Sequence, residues 1–223
     1  MTQTIHLNTT RMQCITAYLA KPEGVPKGGI VVAQEIFGVN AHIRHVADTF
    51  AAHGYTAIAP AFFDHLESGA ELGYDEAGIA RGRQLVEELE FERPVEDVAS
   101  AAEAIASSGR IGVVGYCWGG SVALLAAQRL GMPAVSYYGA RNVRFLDQPL
   151  RAPAMFHFGE RDGSIPAAAI EQHRKAYPQA EVYTYPAGHA FNREVDAHVY
   201  DRASAELALT RTLAFFDRHL ARA

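Results

Sequence analysis

The sequence predicts an α/β fold in which a mostly parallel central sheet is covered by helices on both faces. Short apolar segments of strand length alternate along the chain with longer amphipathic segments typical of helices. Several of the short segments are largely apolar, and the segment 28–33 contains no polar residue, which is typical of parallel strands that are buried on both faces. No repeat, linker or low-complexity segment interrupts the alternation, so residues 1–223 are predicted to form one α/β domain.

The first half of the chain begins with a loose alternation of polar and apolar residues around 5–7 and 15–19, which predicts one or two antiparallel edge strands. The remaining elements of this half are predicted from apolar runs, helical periodicity and Gly or Pro punctuation. They are strands at 28–33 and 55–59, a helix at 41–53, a loop at 60–75, and helices at 76–91 and 95–107 separated by Pro94.

The second half begins with a strand at 110–114 that runs directly into a glycine-rich turn and a helix at 121–130. The elements predicted after it are strands at 134–138, 154–158 and 180–185, and helices at 167–176 and 203–220.

The composition excludes several classes of function. A net charge of −5 gives no basic face for nucleic acid, and no run of 18 apolar residues predicts a membrane span. The polar residues 1–7 lack the apolar core of a signal peptide, so we expect a cytoplasmic monomer with Cys14 and Cys117 as free thiols. The pair His42-x-x-His45 has no third candidate ligand nearby, so these histidines are assigned to a solvated helix face and no metal is predicted.

The most informative motif is Gly115-x-Cys117-x-Gly119, which lies between a predicted strand and a predicted helix. This is the nucleophile-elbow pattern with cysteine in place of serine. The helix N-terminus that follows favours a thiolate, and the backbone N–H of Trp118 faces a developing oxyanion. The alternative is a buried, inert cysteine beside a turn. That reading suits Cys14, whereas the agreement of strand, glycines and helix favours a nucleophile at Cys117.

Partners for this nucleophile follow in the order acid, then histidine, that α/β hydrolases use. Asp162 and His189 each come just after a predicted strand, where α/β sheets place their sites. His189 would take the thiol proton and Asp162 would orient its ring. Glu160 competes for the role of the acid, and Asp162 is preferred because it lies deeper in the loop.

Four segments of the chain resemble the dienelactone hydrolase family, and the resemblance covers nearly the whole sequence. They are Gln34-Glu35-Ile36-Phe37-Gly38 within residues 32–40, Gly115-Tyr116-Cys117-Trp118-Gly119-Gly120, Tyr137-Tyr138-Gly139, and Ala187-Gly188-His189-Ala190-Phe191 followed by Arg193. The first of these together with a cysteine elbow is more specific than the elbow alone. The resemblance implies a single-domain α/β hydrolase without a cofactor that opens the small anionic lactone dienelactone to maleylacetate.

The resemblance also implies roles for residues outside the triad. Glu35 matches a glutamate that engages the resting cysteine, and a carboxylate there would discourage thiolate formation until substrate arrives. The backbone N–H groups of Ile36 and Trp118 match the oxyanion hole. Phe37 and Tyr137 fall in the matching segments and are expected to contact substrate.

Two arginines are implied as partners of the substrate carboxylate, because a guanidinium binds a carboxylate with two parallel hydrogen bonds. Arg193 matches the arginine four residues beyond the catalytic histidine. Arg81 is chosen as the second, with Arg83 as the alternative.

Two other functions remain open from the sequence. The first is a carboxylesterase or lactonase of the same scaffold that acts on another ester. The second is a redox or ligand-binding protein that uses Cys117 without turnover, although such a protein has no need of an aspartate-oriented histidine.

Overall fold

The computed structural model describes residues 1–9 and 13–220 of the chain. By its internal contacts the chain divides into two compact units, Met1–Val113 with Leu220, and Val114–His219. The boundary falls inside the strand Ile111–Tyr116. The single domain over residues 1–223 stays a prediction.

The first unit contains a mixed set of strands with helices. Its strands are β1 (Thr2–Asn8), β2 (Cys14–Ala20), β3 (Gly29–Ala33) and β4 (Thr56–Pro60), and its helices are α1 (Ala41–Ala52), α2 (Glu76–Leu89) and α3 (Glu92–Ala104). Strand β2 pairs antiparallel with both β1 and β4, while β3 pairs parallel with β4. The predicted antiparallel start is therefore confirmed. All residues of β3 and β4 are buried, as their largely apolar sequences predicted.

The second unit carries parallel strands whose ends lie in register. Its elements are β5 (Ile111–Tyr116), α4 (Trp118–Leu125), β6 (Ala134–Tyr137), β7 (Ala154–Gly159), α5 (Ala167–Ala176), β8 (Glu181–Tyr185) and α6 (Arg202–Leu220). Strands β6 and β7 pair parallel, as do β7 and β8. Because Gly159 at the end of β7 pairs with Tyr185 at the end of β8, the loops that follow these two strands begin side by side.

The structure departs most from the predicted elements in three places. The break between α2 and α3 comes at Glu90, whose φ of 59° is left-handed, and Pro94 lies in the first turn of α3. Proline is tolerated there because the first N–H groups of a helix have no partner within it. The predicted loop at 60–75 contains a 3₁₀ turn at Phe62–His65, and α4 begins at Trp118 and continues through a π-helical turn at Ala126–Leu130.

In residues 1–9 and 13–220, no helix has both the length and the apolarity that crossing a membrane requires.

Candidate active site

Cys117 occupies a sharp turn between β5 and α4. Its backbone has φ 54° and ψ −115°, a conformation that non-glycine residues rarely adopt. The flanking glycine is required for close packing, since a Cβ on Gly115 would lie 1.8 Å from the carbonyl oxygen of Gly119. The structure therefore has the strained strand-to-helix turn that the Gly-x-Cys-x-Gly spacing predicted.

Backbone contacts fix the thiol at the start of α4. The N–H of Cys117 donates to the carbonyl of Tyr137 at 3.0 Å, and the carbonyl of Cys117 accepts from Gly120 N–H at 3.0 Å. A Cβ on Gly120 would lie 2.8 Å from both Ser136 Oγ and Tyr137 O, so only glycine lets α4 approach the end of β6 this closely. The positive end of the α4 dipole favours a negative charge on the sulfur.

Three side chains from three loops form a continuous hydrogen-bonded line to the sulfur. His189 Nε2 lies 3.3 Å from Cys117 Sγ, and His189 Nδ1 donates to Asp162 Oδ2 at 2.6 Å. The other oxygen, Oδ1 of Asp162, accepts from the backbone N–H of Ser164 at 2.8 Å. The Asp162 side chain is fully buried, whereas that of His189 is 28% exposed. Both carboxylate oxygens are thus occupied, which holds the acid in one orientation for its histidine.

The electrostatics of His189 suit a proton acceptor paired with a thiolate. Burial lowers its pKa, but the negative charge of Cys117, the hydrogen bond to Asp162 and the hydrogen bond to Cys117 outweigh burial and raise it to about 10. A group that keeps its proton near neutral pH can hold a thiolate as an ion pair and can later donate the proton to a leaving oxygen.

Glu160, the competing candidate for the acid, is exposed, and His189 Nδ1 bonds to Asp162 instead. Its backbone N–H donates to the carbonyl of Tyr185 at 2.8 Å, which continues the pairing of β7 with β8. The geometry therefore brings Asp162 to the histidine, as the sequence analysis preferred.

The other predicted site residues of the second unit are placed as follows. Arg193 is 6% exposed, and its Nη1 lies 3.5 Å from Asp196 Oδ2. Trp118 is the first residue of α4 and is buried. Tyr137 is also buried, but its hydroxyl is 2.7 Å from Thr212 Oγ1 on α6, in the interior. The expectation that Tyr137 contacts substrate stays a prediction.

The predicted residues of the first unit follow β3 or lie on α2. Glu35 is fully buried, Ile36 is partly buried, and Phe37 packs edge-on against Tyr74 with ring centroids 4.7 Å apart. A Cβ on Gly82 would lie 2.1 Å from Ile36 O, so α2 lies directly against this segment. The roles of Glu35, Ile36 and Phe37 stay predictions.

The guanidinium of Arg81 already has two partners on its own unit. Its Nε and Nη2 donate to Glu67 Oε2 at 2.9 and 2.6 Å, and its Nη1 donates to Gln84. The two nitrogens that could form a fork with a substrate carboxylate therefore meet a carboxylate of the protein. Arg83, the alternative, is exposed on the same helix. The choice between them stays open.

Sequence reasoning missed several neighbours of the triad. The ring of Tyr138 lies 5.0 Å from that of His189, and Tyr138 has a left-handed φ of 38°. Arg161 bonds the loop that carries His189, and the N–H of Ser164 orients Asp162. For Arg161 and Ser164, the available signal was their position within two residues of Asp162 in the chain. No feature of the sequence marked Tyr138 as a neighbour of the histidine.

Among the residues that the structure describes, no three His, Cys, Asp or Glu side chains gather as a metal site. The assignment of His42 and His45 to a solvated helix face was half wrong. His45 is exposed, but His42 is fully buried, because α1 turns it toward the interior together with Ile43.

The fold and this site define an α/β hydrolase with a cysteine at its elbow. Sequence comparison identifies the family within this class, because a model of the dienelactone hydrolase family matches residues 15–220. The chain belongs to the dienelactone hydrolase family, and it is a hydrolase.

Its relatives include a carboxymethylenebutenolidase of Pseudomonas putida, 33% identical over 227 residues and covering 96% of each chain. Carboxymethylenebutenolidase 1 of Cupriavidus pinatubonensis is 32% identical over 88% of each chain. Among solved structures, a putative dienelactone hydrolase of Klebsiella pneumoniae aligns with a TM-score of 0.85 and 29% identity, covering 97% of this chain and 98% of the other.

Proposed function

We propose that this chain is a carboxymethylenebutenolidase that hydrolyses dienelactone to maleylacetate, with Cys117 as the nucleophile. The observation that carries the proposal is the hydrogen-bonded order Asp162, His189, Cys117 on an elbow at the start of a helix. The names of the Pseudomonas and Cupriavidus relatives support the choice of substrate.

In the first step, the Cys117 thiolate attacks the lactone carbonyl carbon, so that a sulfur–carbon bond forms. The oxyanion that develops accepts a hydrogen bond from the backbone N–H of Trp118 at the positive end of α4. When the tetrahedral species collapses, the ring carbon–oxygen bond breaks and the enolate oxygen takes the proton of His189 Nε2. The product of this step is a thioester.

In the second step, His189 accepts a proton from water, and the hydroxide attacks the thioester carbonyl carbon. Collapse breaks the sulfur–carbon bond and returns the sulfur as a thiolate beside protonated His189. Asp162 keeps Nδ1 of the ring protonated throughout, so that Nε2 alone exchanges the proton. The enol that was released becomes the ketone of maleylacetate, and one water is consumed for each lactone.

The substrate already carries one carboxylate before its ring is opened, and Arg193 is the proposed partner of that group. Arg193 is almost fully buried, and its Nη1 lies 3.5 Å from Asp196 Oδ2. A buried guanidinium gains more from a bidentate carboxylate than an exposed one does, because water competes less for its donors.

Replacing Cys117 tests the proposal directly. Cys117→Ala is expected to abolish dienelactone hydrolysis, because no other described thiol lies on an elbow, while the far-ultraviolet circular dichroism stays that of the wild type. Cys14→Ala is the matched control, since Cys14 is an exposed thiol on β2, and it should keep full activity. Turnover is followed by the loss of dienelactone absorbance. Hydrolysis by Cys117→Ala above the solvent rate would contradict the nucleophile.

Replacing Arg193 tests the substrate class. Arg193→Ala should lower kcat/KM for dienelactone about ten- to a hundredfold more than for a neutral nitrophenyl ester, because only the anionic substrate loses a charged hydrogen bond. Equal losses on the two substrates would indicate an esterase for neutral esters. If the wild type hydrolyses neither ester but its Cys117 reacts rapidly with an alkylating reagent, a redox or ligand-binding protein is favoured instead.

A further inference from the structure

The loop that carries Asp162 and the loop that carries His189 lie against each other beyond the ends of their strands. The acid loop is residues 160–164 and the histidine loop is residues 186–190. Two backbone hydrogen bonds run from the start of the acid loop. Glu160 N–H donates to the carbonyl of Tyr185, at the end of β8, at 2.8 Å, and Arg161 N–H donates to the carbonyl of Ala187, in the histidine loop, at 2.9 Å. The two loops are thus hydrogen-bonded through their backbones beyond the ends of β7 and β8.

Close approach at this point depends on a residue without a side chain. A Cβ on Gly159 would lie 2.5 Å from Gly188 O and 2.6 Å from Ala187 O, both carbonyls of the histidine loop. The histidine loop therefore rests directly on the backbone of Gly159, the residue before the acid loop, and a small displacement between the two loops would change the distance from Asp162 to His189.

The carbonyl of Pro186 lies between the two backbone bonds and is held by a side chain. Arg161 Nη2 donates to Pro186 O, so one residue binds the histidine loop through both its backbone and its guanidinium. Pro186 has no N–H of its own with which to extend the ladder. The Arg161 side chain therefore attaches the histidine loop through the one backbone hydrogen-bonding group that Pro186 has, its carbonyl.

Arg161 also faces the segment that follows His189 in the chain. Asp201 has a lowered pKa, chiefly because the hydroxyl and N–H of Ser204 donate to it, and the positive charge of Arg161 contributes to the same direction. The N–H of Asp201 in turn donates to Phe191 O at 3.0 Å, two residues beyond His189. One guanidinium thus lies close to both ends of the segment that carries the catalytic histidine.

We propose that Arg161 is a positioning residue for the reaction, which holds the histidine loop so that His189 stays bonded to Asp162. The expected effect on kcat rests on the proposed function, whereas the expected effect on the pKa of His189 does not. Arg161 does not touch the reacting atoms. It acts through the loop that presents the imidazole, and its exposed side chain leaves the interior unchanged when it is replaced.

Arg161→Met removes the donor and keeps the length of the side chain, and Arg161→Lys keeps the charge and one donor. Arg174→Met is the matched control, because Arg174 is an exposed arginine of the same unit that pairs with Glu171 on its own helix. Each variant is measured for kcat and KM on dienelactone, for melting temperature, and for the pKa of His189 by nuclear magnetic resonance of its ring nitrogens. His189→Gln identifies the His189 signals.

Arg161→Met is expected to lower kcat about tenfold with KM within about twofold, since a charged hydrogen bond of ordinary strength is lost. It should also lower the pKa of His189 by about one unit, because a loosened Asp162 bond stabilises the imidazolium less. Arg161→Lys should recover most of both changes, and Arg174→Met should match the wild type.

Three results would overturn the proposal. An unchanged His189 pKa with a lower melting temperature would show that Arg161 is only structural. A raised pKa would show that its charge, not its bond, acts on the imidazole, because removing a nearby cation favours protonation. Wild-type kcat and pKa in Arg161→Met would show no role. If the wild type does not hydrolyse dienelactone, the proposed function fails, while the pKa of His189 still decides the role of Arg161.

Discussion

At the scale of single residues, the proposed acid of the site is distinguished by the contacts of both its carboxylate oxygens. Asp162 is buried and offers Oδ2 to His189 and Oδ1 to the N–H of Ser164, whereas Glu160 is exposed two residues earlier. A carboxylate fixed from both sides keeps one tautomer of the imidazole, with the proton on Nδ1 and the sulfur facing Nε2. An exposed carboxylate without such contacts would be free to rotate.

Asp162→Asn should therefore lower kcat about 10²–10⁴-fold, because an amide no longer selects that tautomer. Glu160→Gln makes the same chemical change two residues away and should leave kcat within about twofold. Steady-state kinetics on dienelactone with both variants measures the difference. A large loss in Glu160→Gln with little loss in Asp162→Asn would transfer the role of the acid to Glu160.

At the scale of elements, the turn from β5 into α4 stores strain at Cys117 and depends on close contact between backbones. Gly115 and Gly119 approach so closely that a single methyl group cannot be placed between them. The turn is kept because β5, α4 and the bond from Cys117 N–H to Tyr137 O hold it from three sides.

Gly115→Ala is expected to destabilise the protein by about 1–3 kcal/mol, since the added Cβ would lie 1.8 Å from Gly119 O and the backbone must move. Gly163→Ala is the matched control, because no atom lies within 4 Å of a Cβ at that position, and its effect should stay within about 0.5 kcal/mol. Urea unfolding of both variants gives the comparison. Equal stabilities would mean that the turn can relax without cost.

The elbow and the chain order of the triad could be predicted from the sequence, because both depend on local spacing and on the rule that sites follow strand ends. The end of α2 at Glu90 could not, since the sequence offers Pro94 as the more obvious break and the left-handed φ of Glu90 depends on tertiary packing. The neighbours Tyr138 and Arg161 were missed for a similar reason. Their contacts with the histidine or its loop exist only once β6, β7 and β8 are paired.

At the scale of the whole molecule, buried histidines determine how stability responds to acid. Burial lowers the pKa of His157 to about 3, and burial also lowers that of His173. Each of these histidines therefore binds its proton less readily in the folded chain than in the unfolded chain, where it titrates near 6.5. The unfolded state therefore binds more protons below pH 6.5, and the stability that these groups contribute above that pH is lost as pH falls toward 3.

The raised pKa of His189 affects stability at alkaline pH. Its folded pKa of about 10 lies above the unfolded value of 6.5, so its contribution is complete below pH 6.5 and is lost as pH rises through 10. The pKa of Asp97 is raised chiefly by burial, so this carboxyl binds a proton more readily in the folded chain than in the unfolded chain. Asp97 therefore opposes the loss of stability in acid, but only in the pH range where its own carboxyl titrates. The melting temperature should thus be highest near neutral pH and fall on both sides.

Melting temperatures measured from pH 4 to pH 10 check this expectation. Cys117→Ala provides the control, because the thiolate is the largest influence that raises the pKa of His189, and its removal should move the alkaline fall to lower pH. The acid fall should be the same in both proteins. An alkaline limb that does not move in Cys117→Ala would contradict the ion pair.

The register of β7 with β8 also bears on how such an enzyme can change over evolutionary time. Asp162 and His189 are separated along the chain by α5, yet they meet because Gly159 and Tyr185 end their strands side by side. The crossover through α5 can therefore gain, lose or exchange residues without altering the distance between acid and base. The two strands have no such freedom, because a single deletion would offset one loop from the other. Variation in this part of the family should accumulate in the crossover, where new surfaces can arise while the chemistry is retained.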